Sequence, residues 1–153
     1  MSTFSPTPAR SPTAPASLNQ SGQSSMNTVQ KVSELAGRSL LSVLFLLSGV
    51  GKIGAYAGTA AYMSSVGVPA ALLPAVIATE VLGALAIILG WQTRIIAFLL
   101  AGFSLLSALI FHSNFADQIQ TIMFLKNVAI AGGFLLLVAN GAGPLSLDRR
   151  LVK

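Results

Sequence analysis

LAGRSLLSVLFLLSGVGKIGAYA, residues 35–57, decides the fold class of this chain. Its charged side chains are Arg38, close to the start, and Lys52, close to the end. A helix that spans a bilayer needs about 20 mostly apolar residues. Long basic side chains near the ends of such a helix can extend to the membrane surface. The stretch therefore predicts a transmembrane helix.

Three further apolar segments of similar length follow, at 69–90, 93–113 and 119–140. Glycine and proline residues separate them and predict turns. The whole chain is 54% hydrophobic and only 8% charged, whereas a soluble domain is about one quarter charged. These features predict an all-α integral membrane protein, a four-helix bundle.

The first 33 residues have a different composition and predict a disordered tail rich in Ser, Thr and Pro. We therefore divide the chain into this tail, a membrane domain over 34–148 and a basic cytoplasmic tail over 149–153. Two other interpretations remain. In the first, the tail is a mitochondrial transit peptide, although residues 1–30 carry only one charge, Arg10. In the second, 35–57 is a signal sequence cleaved after Ala57.

Basic residues set the orientation, because loops on the cytoplasmic side carry an excess of Lys and Arg. With both termini inside, one side of the membrane holds nearly all of them: Arg10, Lys31, Arg38, Arg94, Arg149, Arg150 and Lys153. The sequence thus predicts an N-in, C-in topology in the lipid bilayer, and it leaves homo-oligomerisation open.

Composition also narrows the chemistry. The net charge is +5, but the basic residues form no groove with aromatic residues, so we expect no nucleic-acid partner. The chain has no cysteine and one histidine, His112. Thiol redox pairs, bis-His haem and multi-His metal sites within one chain are therefore excluded. No metal site, no autonomous catalytic motif and no cofactor within the chain is evident.

Gly49, Gly51 and Gly54 form a literal G-x-G-x-x-G, the fingerprint of dinucleotide-binding turns. That site needs a strand before it and an acidic residue about 20 positions later. Here a predicted membrane helix precedes the glycines. We therefore interpret Gly49 and Gly51 as small residues that let another helix approach closely.

Polar side chains inside the spans point to a functional site, because they are costly there and usually face a cavity or a partner. The rise of a helix places Glu80 about 15 Å below Pro69, near the middle of the bilayer. The other polar residues lie at or above that depth in the outer half. The predicted pocket residues are Lys52, Glu80, His112, Lys126 and Asn127.

Glu80 needs a cationic partner, and the sequence leaves Lys126 and Lys52 open. Gly83 beside Glu80, and Gly133 on the face of Lys126, would let the second and fourth spans close around a pair. The alternative is that a buried pair only fixes the register of the bundle.

The chain resembles the DoxX family over roughly residues 35–148. The resemblance rests on an ordered set: Arg38, SGVGK (48–52), Glu80, GWQTR (90–94), FH (111–112), FLKNVAIAGG (124–133) and GPLSLD (143–148). It implies a bacterial inner-membrane four-helix bundle associated with quinone-linked oxidation. The family's polar positions then fall on the five pocket residues and on Arg38.

Three functions follow as hypotheses. The first is a quinone-interacting subunit that works with oxidoreductase partner subunits. The second is a carrier or binding protein for a small polar solute, and the third is a scaffold that recruits soluble partners. Whether the chain is itself an enzyme stays open.

Overall fold

The computed structural model describes residues 17–151, with side chains from residue 28 onward. Within that range the chain consists of helices and connecting turns, without strands. A 3₁₀ turn at Ala70–Leu72 leads into the third helix. The helices are α1 (Ser17–Gly54), α2 (Tyr56–Ser65), α3 (Leu73–Leu89), α4 (Thr93–Phe111), α5 (Gln118–Asn140) and α6 (Leu147–Leu151).

Four stretches are long and apolar enough to cross a membrane. They are Thr28–Gly54, Ala70–Leu89, Thr93–Phe111 and Gln118–Asn140. Each agrees with a predicted span to within a few residues, except at the start of the first. The all-α, four-span fold class is thus confirmed.

The first helix begins earlier than the sequence predicts. Residues 17–33 belong to α1, although they were assigned to the predicted tail. The physical reason is that Pro15 is the last proline before Pro69, so no backbone N–H is missing along this helix. Residues 1–16 of the predicted tail lie outside the described residues.

The segment between the first two spans is a second difference. The sequence predicts a loop after residue 57, but Tyr56–Ser65 forms α2. Ala55, with non-helical backbone angles, separates it from α1. Several alanines favour the helix, and Met63 is buried on its inner side. Therefore α2 covers part of the outer end of the bundle.

The spans pack as a ring in which α3 lies against α1 and α4, and α5 lies against α4 and α1. Phe45 of α1 meets Phe134 of α5 edge to face, with ring centroids 5.3 Å apart. A Cβ at Gly83 would lie 3.0 Å from Leu100 of α4. A Cβ at Gly133 would lie 3.0 Å from Leu41 of α1. The prediction that these glycines bring the second and fourth spans together is therefore wrong.

Four spans return the chain to the side where it began. Arg94 at the start of α4 and Arg149 and Arg150 in α6 are exposed at that end. The positive-inside rule makes it the cytoplasmic side, so the topology is N-in, C-in. We call this the inner end and the opposite one the outer end.

Candidate functional site

A cavity of about 440 Å³ lies in the outer half of the bundle. Residues from α1 to α5 line it, and most of the wall is apolar. The apolar lining includes Leu44, Phe45, Met63, Leu72, Val76, Phe103, Leu106, Ile110 and Ile130. The polar lining consists of Ser48, Lys52, Thr59, Tyr62, Glu80, Ser107, His112 and Asn127. Such a shape suits a mostly apolar ligand with a few polar atoms.

An ion pair between α1 and α3 forms one wall. Lys52 Nζ donates to both carboxylate oxygens of Glu80, each at 2.8 Å, and to Ser48 Oγ at 2.6 Å. The Ser48 hydroxyl in turn donates to Glu80 Oε1 at 3.2 Å. The Glu80 side chain is only 6% exposed, and that of Lys52 is 25% exposed. The three side chains form a closed network, in which the partner of Glu80 is Lys52.

Helix geometry explains why this network forms. Ser48 and Lys52 are four residues apart, so they share one face of α1. Gly49 lies between them, and a Cβ there would be 2.7 Å from Val81 Cγ2 and 3.1 Å from Glu80 Cβ. A side chain at this position would push α1 away from α3. The packing role predicted for Gly49 is confirmed.

Gly51 does not share that role. A Cβ at Gly51 would meet nothing within 4 Å, and the same holds for Gly54. The packing role predicted for Gly51 is therefore wrong. All three glycines lie within the continuous helix α1, so the dinucleotide-turn geometry is absent at this motif.

His112 lies at the outer mouth of the cavity, directly after α4. Its Nδ1 is 2.7 Å from Gln120 Oε1 on α5. Asp117, nearby in sequence, instead caps α5 by accepting from the Ile119 backbone N–H at 2.7 Å. Sequence analysis did not single out Gln120, because no motif or spacing marks a residue paired across a turn.

Asn127 and Lys126 are adjacent but lie on different faces of α5. Asn127 lines the cavity and donates from Nδ2 to the Met123 carbonyl at 3.0 Å. Lys126 is exposed and does not line the cavity. Successive residues of a helix are rotated by about 100°, so both cannot face one pocket. Of the predicted pocket residues, the structure brings together Lys52, Glu80, His112 and Asn127 and leaves Lys126 outside.

Arg38 lies far from this cavity, at the inner end. It is 2% exposed, and its Nη1 donates to the Ala142 carbonyl at 2.6 Å. Its Nη2 donates to the Leu145 carbonyl. The guanidinium therefore ties α1 to the segment that follows α5.

Asp148 completes this inner-end network. Its carboxylate accepts from the backbone N–H groups of Gln92 at 2.6 Å and Thr93 at 2.9 Å. Its own N–H donates to the Gly90 carbonyl at 2.8 Å. Burial alone would raise the pKa of Asp148, but these hydrogen bonds and the charge of Arg38 outweigh burial and hold the pKa below its ordinary value.

Close packing fixes the turn that Asp148 caps. Gly90 has φ +70°, and a Cβ there would lie 2.5 Å from Ser146 Cβ and 2.7 Å from Arg38 Nη1. Only glycine suits both the backbone and the space. The motifs GWQTR and GPLSLD, distant in sequence, thus meet at one place.

The described residues contain no group of three or more His, Cys, Asp or Glu side chains that could hold a metal ion. What the cavity offers a ligand is an apolar wall, a paired charge, an imidazole and an amide.

Comparison with known proteins identifies the family. The chain is 49% identical to the inner membrane protein YqjF of Escherichia coli (strain K12) over 128 residues, covering 84% of this chain and 98% of that protein. It is 41% identical to the inner membrane protein YphA of the same organism over 123 residues, covering 76% and 88% respectively. No solved structure matches the chain. A sequence model of the DoxX family matches residues 33–113. With four membrane spans and inner-membrane relatives, this multi-pass inner-membrane protein belongs to the DoxX family.

Proposed function

We propose that this protein is a quinone-binding membrane subunit of an oxidoreductase system. The observation that carries the proposal is the cavity of about 440 Å³ in the outer half of the bundle, with its apolar wall and the Lys52–Glu80 pair. A quinone head group is a flat, mostly apolar ring with two carbonyl acceptors. Such a ring needs apolar walls and a few well-placed polar groups.

The hydrogen-bond inventory suggests which residues would hold the head group. Lys52 directs its three donors to Glu80 and Ser48, so it has none left for a ligand. Asn127 uses one Nδ2 hydrogen on Met123, and its second can donate to a quinone carbonyl. His112 donates from Nδ1 to Gln120 Oε1, so Nε2 of the neutral ring is an acceptor and would take the hydroxyl of the reduced head group.

Glu80 would supply the proton path. Reduction of a quinone to a quinol takes up two electrons and two protons. In this proposal the electrons come from a partner oxidoreductase subunit. Glu80 is the carboxylate on the cavity wall, and it would pass protons between the head group and the Lys52–Ser48 network.

The test is solvent extraction and native mass spectrometry of the protein purified in mild detergent. We expect wild type to retain a quinone and the Glu80→Gln variant to lose it, because Gln cannot neutralise Lys52 and an unpaired ammonium would then lie on the wall of the otherwise apolar cavity. The matched control is Lys126→Met, which removes a charge outside the cavity and should leave the quinone content unchanged. If wild type carries no quinone and also fails to retain added decylubiquinone, the proposal is wrong.

The scaffold hypothesis is the second candidate, because the Lys52–Glu80–Ser48 network is closed on itself. A buried pair of this kind can serve structure alone. The double variant Lys52→Met, Glu80→Leu separates the two functions, since both replacements are apolar. Native stability with unchanged quinone content would favour the scaffold, whereas native stability with lost quinone would favour the quinone site.

The solute-carrier hypothesis has less support. Carriers of this kind often bind their solute at helices that are broken near the middle of the membrane. All four spans here are continuous helices through that depth.

A further inference from the structure

Lys126 is a cation on the face of α5 that points away from the rest of the bundle. It lies eight residues beyond Gln118, which places it about 12 Å along the helix from the outer end. Among residues 28–151 it has no ion-pair or hydrogen-bond partner, and its side chain is exposed. A charge at this depth is costly unless it reaches the interface or finds a partner. The Lys126 ammonium therefore needs a partner from outside the described residues.

The helix that carries Lys126 is also the least covered of the four spans. In the most apolar 18-residue stretch of α5, only 11% is buried inside the protein. The corresponding buried shares are 22%, 28% and 28% for the spans in α1, α3 and α4. Leu125 and Leu136 on α5 are 59% and 65% exposed. The bundle thus leaves one broad helix face uncovered beside the unpaired cation.

The surface next to Lys126 is shaped for another helix. Ala129 and Gly132 follow Lys126 at intervals of three residues and are exposed. A Cβ at Gly132 would meet nothing within 4 Å, so neighbouring helices of this chain do not require the glycine. Small residues at such positions let the backbone of a second membrane helix approach closely.

We propose that this surface, formed by Leu125, Lys126, Ala129, Gly132 and Leu136, binds a transmembrane helix of a partner protein that carries an Asp or Glu at the depth of Lys126. Charge complementarity selects this partner, because a carboxylate is the group that would pair an ammonium within the membrane.

A second copy of the chain fits the surface less well. A two-fold pairing through α5 would bring the Lys126 side chains of the two copies together, and like charges repel. The carboxylate that lies at this depth, Glu80, is buried and already paired with Lys52. The partner helix therefore comes from a different protein. This surface is separate from the cavity, so the inference does not depend on quinone binding.

The experiment places a photo-crosslinking amino acid at Leu136 in the full chain, in its native membrane. A control carries the crosslinker at Phe98 of α4, which is 63% exposed. We expect a protein adduct from Leu136 and none from Phe98. Mass spectrometry should find the crosslinked peptide in a transmembrane segment that contains Asp or Glu. In the Lys126→Met background the adduct should fall by about threefold to tenfold, the size expected for one polar contact between membrane helices. Lys126→Arg should restore it.

Several results would overturn the proposal. They are an adduct with a second copy of this chain, an adduct with lipid alone, a partner segment without a carboxylate, or a protein adduct that Lys126→Met does not change. Lys126→Met must also reach the membrane in normal amounts and unfold at the wild-type temperature. If it does not, the crosslinker is placed at Gly132 in the chain that keeps Lys126. The proposal then requires an adduct with a different protein, in a transmembrane segment that contains Asp or Glu.

Discussion

The two ends of the bundle use buried charge in different ways. At the inner end, Arg38 donates to backbone carbonyls, and Asp148 caps a helix beside it. These contacts join segments of the chain, and neither side chain lines the cavity. At the outer end, Lys52 and Glu80 pair on the wall of that cavity. A buried charge by itself thus does not indicate a ligand site. It indicates one only where the charged side chain lines a cavity that a ligand could occupy.

The difference predicts separate consequences for the two ends. Damage at the inner end should lower stability and leave the affinity for a ligand unchanged. Damage at the outer end should change the affinity and, where the packing is preserved, have less effect on stability.

The largest effect is expected for Arg38→Leu. The substitution leaves the buried carbonyl of Ala142 and the partly buried carbonyl of Leu145 without their charged donor. Loss of such hydrogen bonds should reduce the free energy of unfolding by about 3 kcal/mol. Fluorescence of Trp91, the single tryptophan, reports the thermal unfolding from the neighbouring turn.

Arg38→Lys is the matched control for this prediction. It keeps the charge but cannot reproduce the planar guanidinium contact with two carbonyls. We expect an intermediate stability. Equal stability of wild type and Arg38→Leu would refute the structural role of the inner end.

A smaller effect is expected from Gly49→Ala at the outer end. The new Cβ would lie 2.7 Å from Val81 Cγ2 and 3.1 Å from Glu80 Cβ, so α1 and α3 must separate slightly. Overpacking of this kind costs about 1–2 kcal/mol. Gly51→Ala, whose Cβ meets nothing within 4 Å, should cost nothing. Comparing the unfolding temperatures of the two variants checks this, and equal values would count against the close approach of α1 and α3.

The smallest effect concerns Asp148→Asn and depends on pH. Because the folded pKa of Asp148 lies below its ordinary value of 3.8, the carboxylate stabilises the fold fully above that pH and loses its effect as the pH falls through the folded pKa. Loss of the helix cap should cost about 1 kcal/mol at neutral pH. The difference between the unfolding temperatures of wild type and Asp148→Asn should therefore be constant above about pH 4 and narrow as the pH falls below 3.8. A difference that stays constant below pH 3.8 as well would contradict the assignment.

Much of the fold could be predicted from the sequence, because length and hydropathy decide whether a helix spans a membrane. The breakers Gly90 and Gly141 also gave the ends of two spans, and both have positive φ. The start of α1 and the existence of α2 could not be predicted in this way. The start of α1 is rich in polar residues and α2 is rich in small residues, so both have the composition of loops, although neither contains proline.

The site was predicted in part. Depth along each helix indicated Lys52, Glu80, His112 and Asn127, since costly polar groups at similar depth tend to share a space. Depth says nothing about rotation around the helix axis, so it could not separate Asn127 from Lys126. The contact between Asp148 and the turn at Gly90 gave no sequence signal, because more than fifty residues separate the two segments in the chain.

The most direct test measures how much an added quinone raises the unfolding temperature of wild type, Arg38→Leu and Glu80→Gln. Ligand at one hundred times its dissociation constant adds about 2.7 kcal/mol to the stability of a protein that binds it. We predict that decylubiquinone raises the unfolding temperature of wild type and of the less stable Arg38→Leu by similar amounts, and does not raise that of Glu80→Gln. An equal increase in Glu80→Gln, or a loss of the increase in Arg38→Leu alone, would contradict the division between a structural inner end and a ligand-binding outer end.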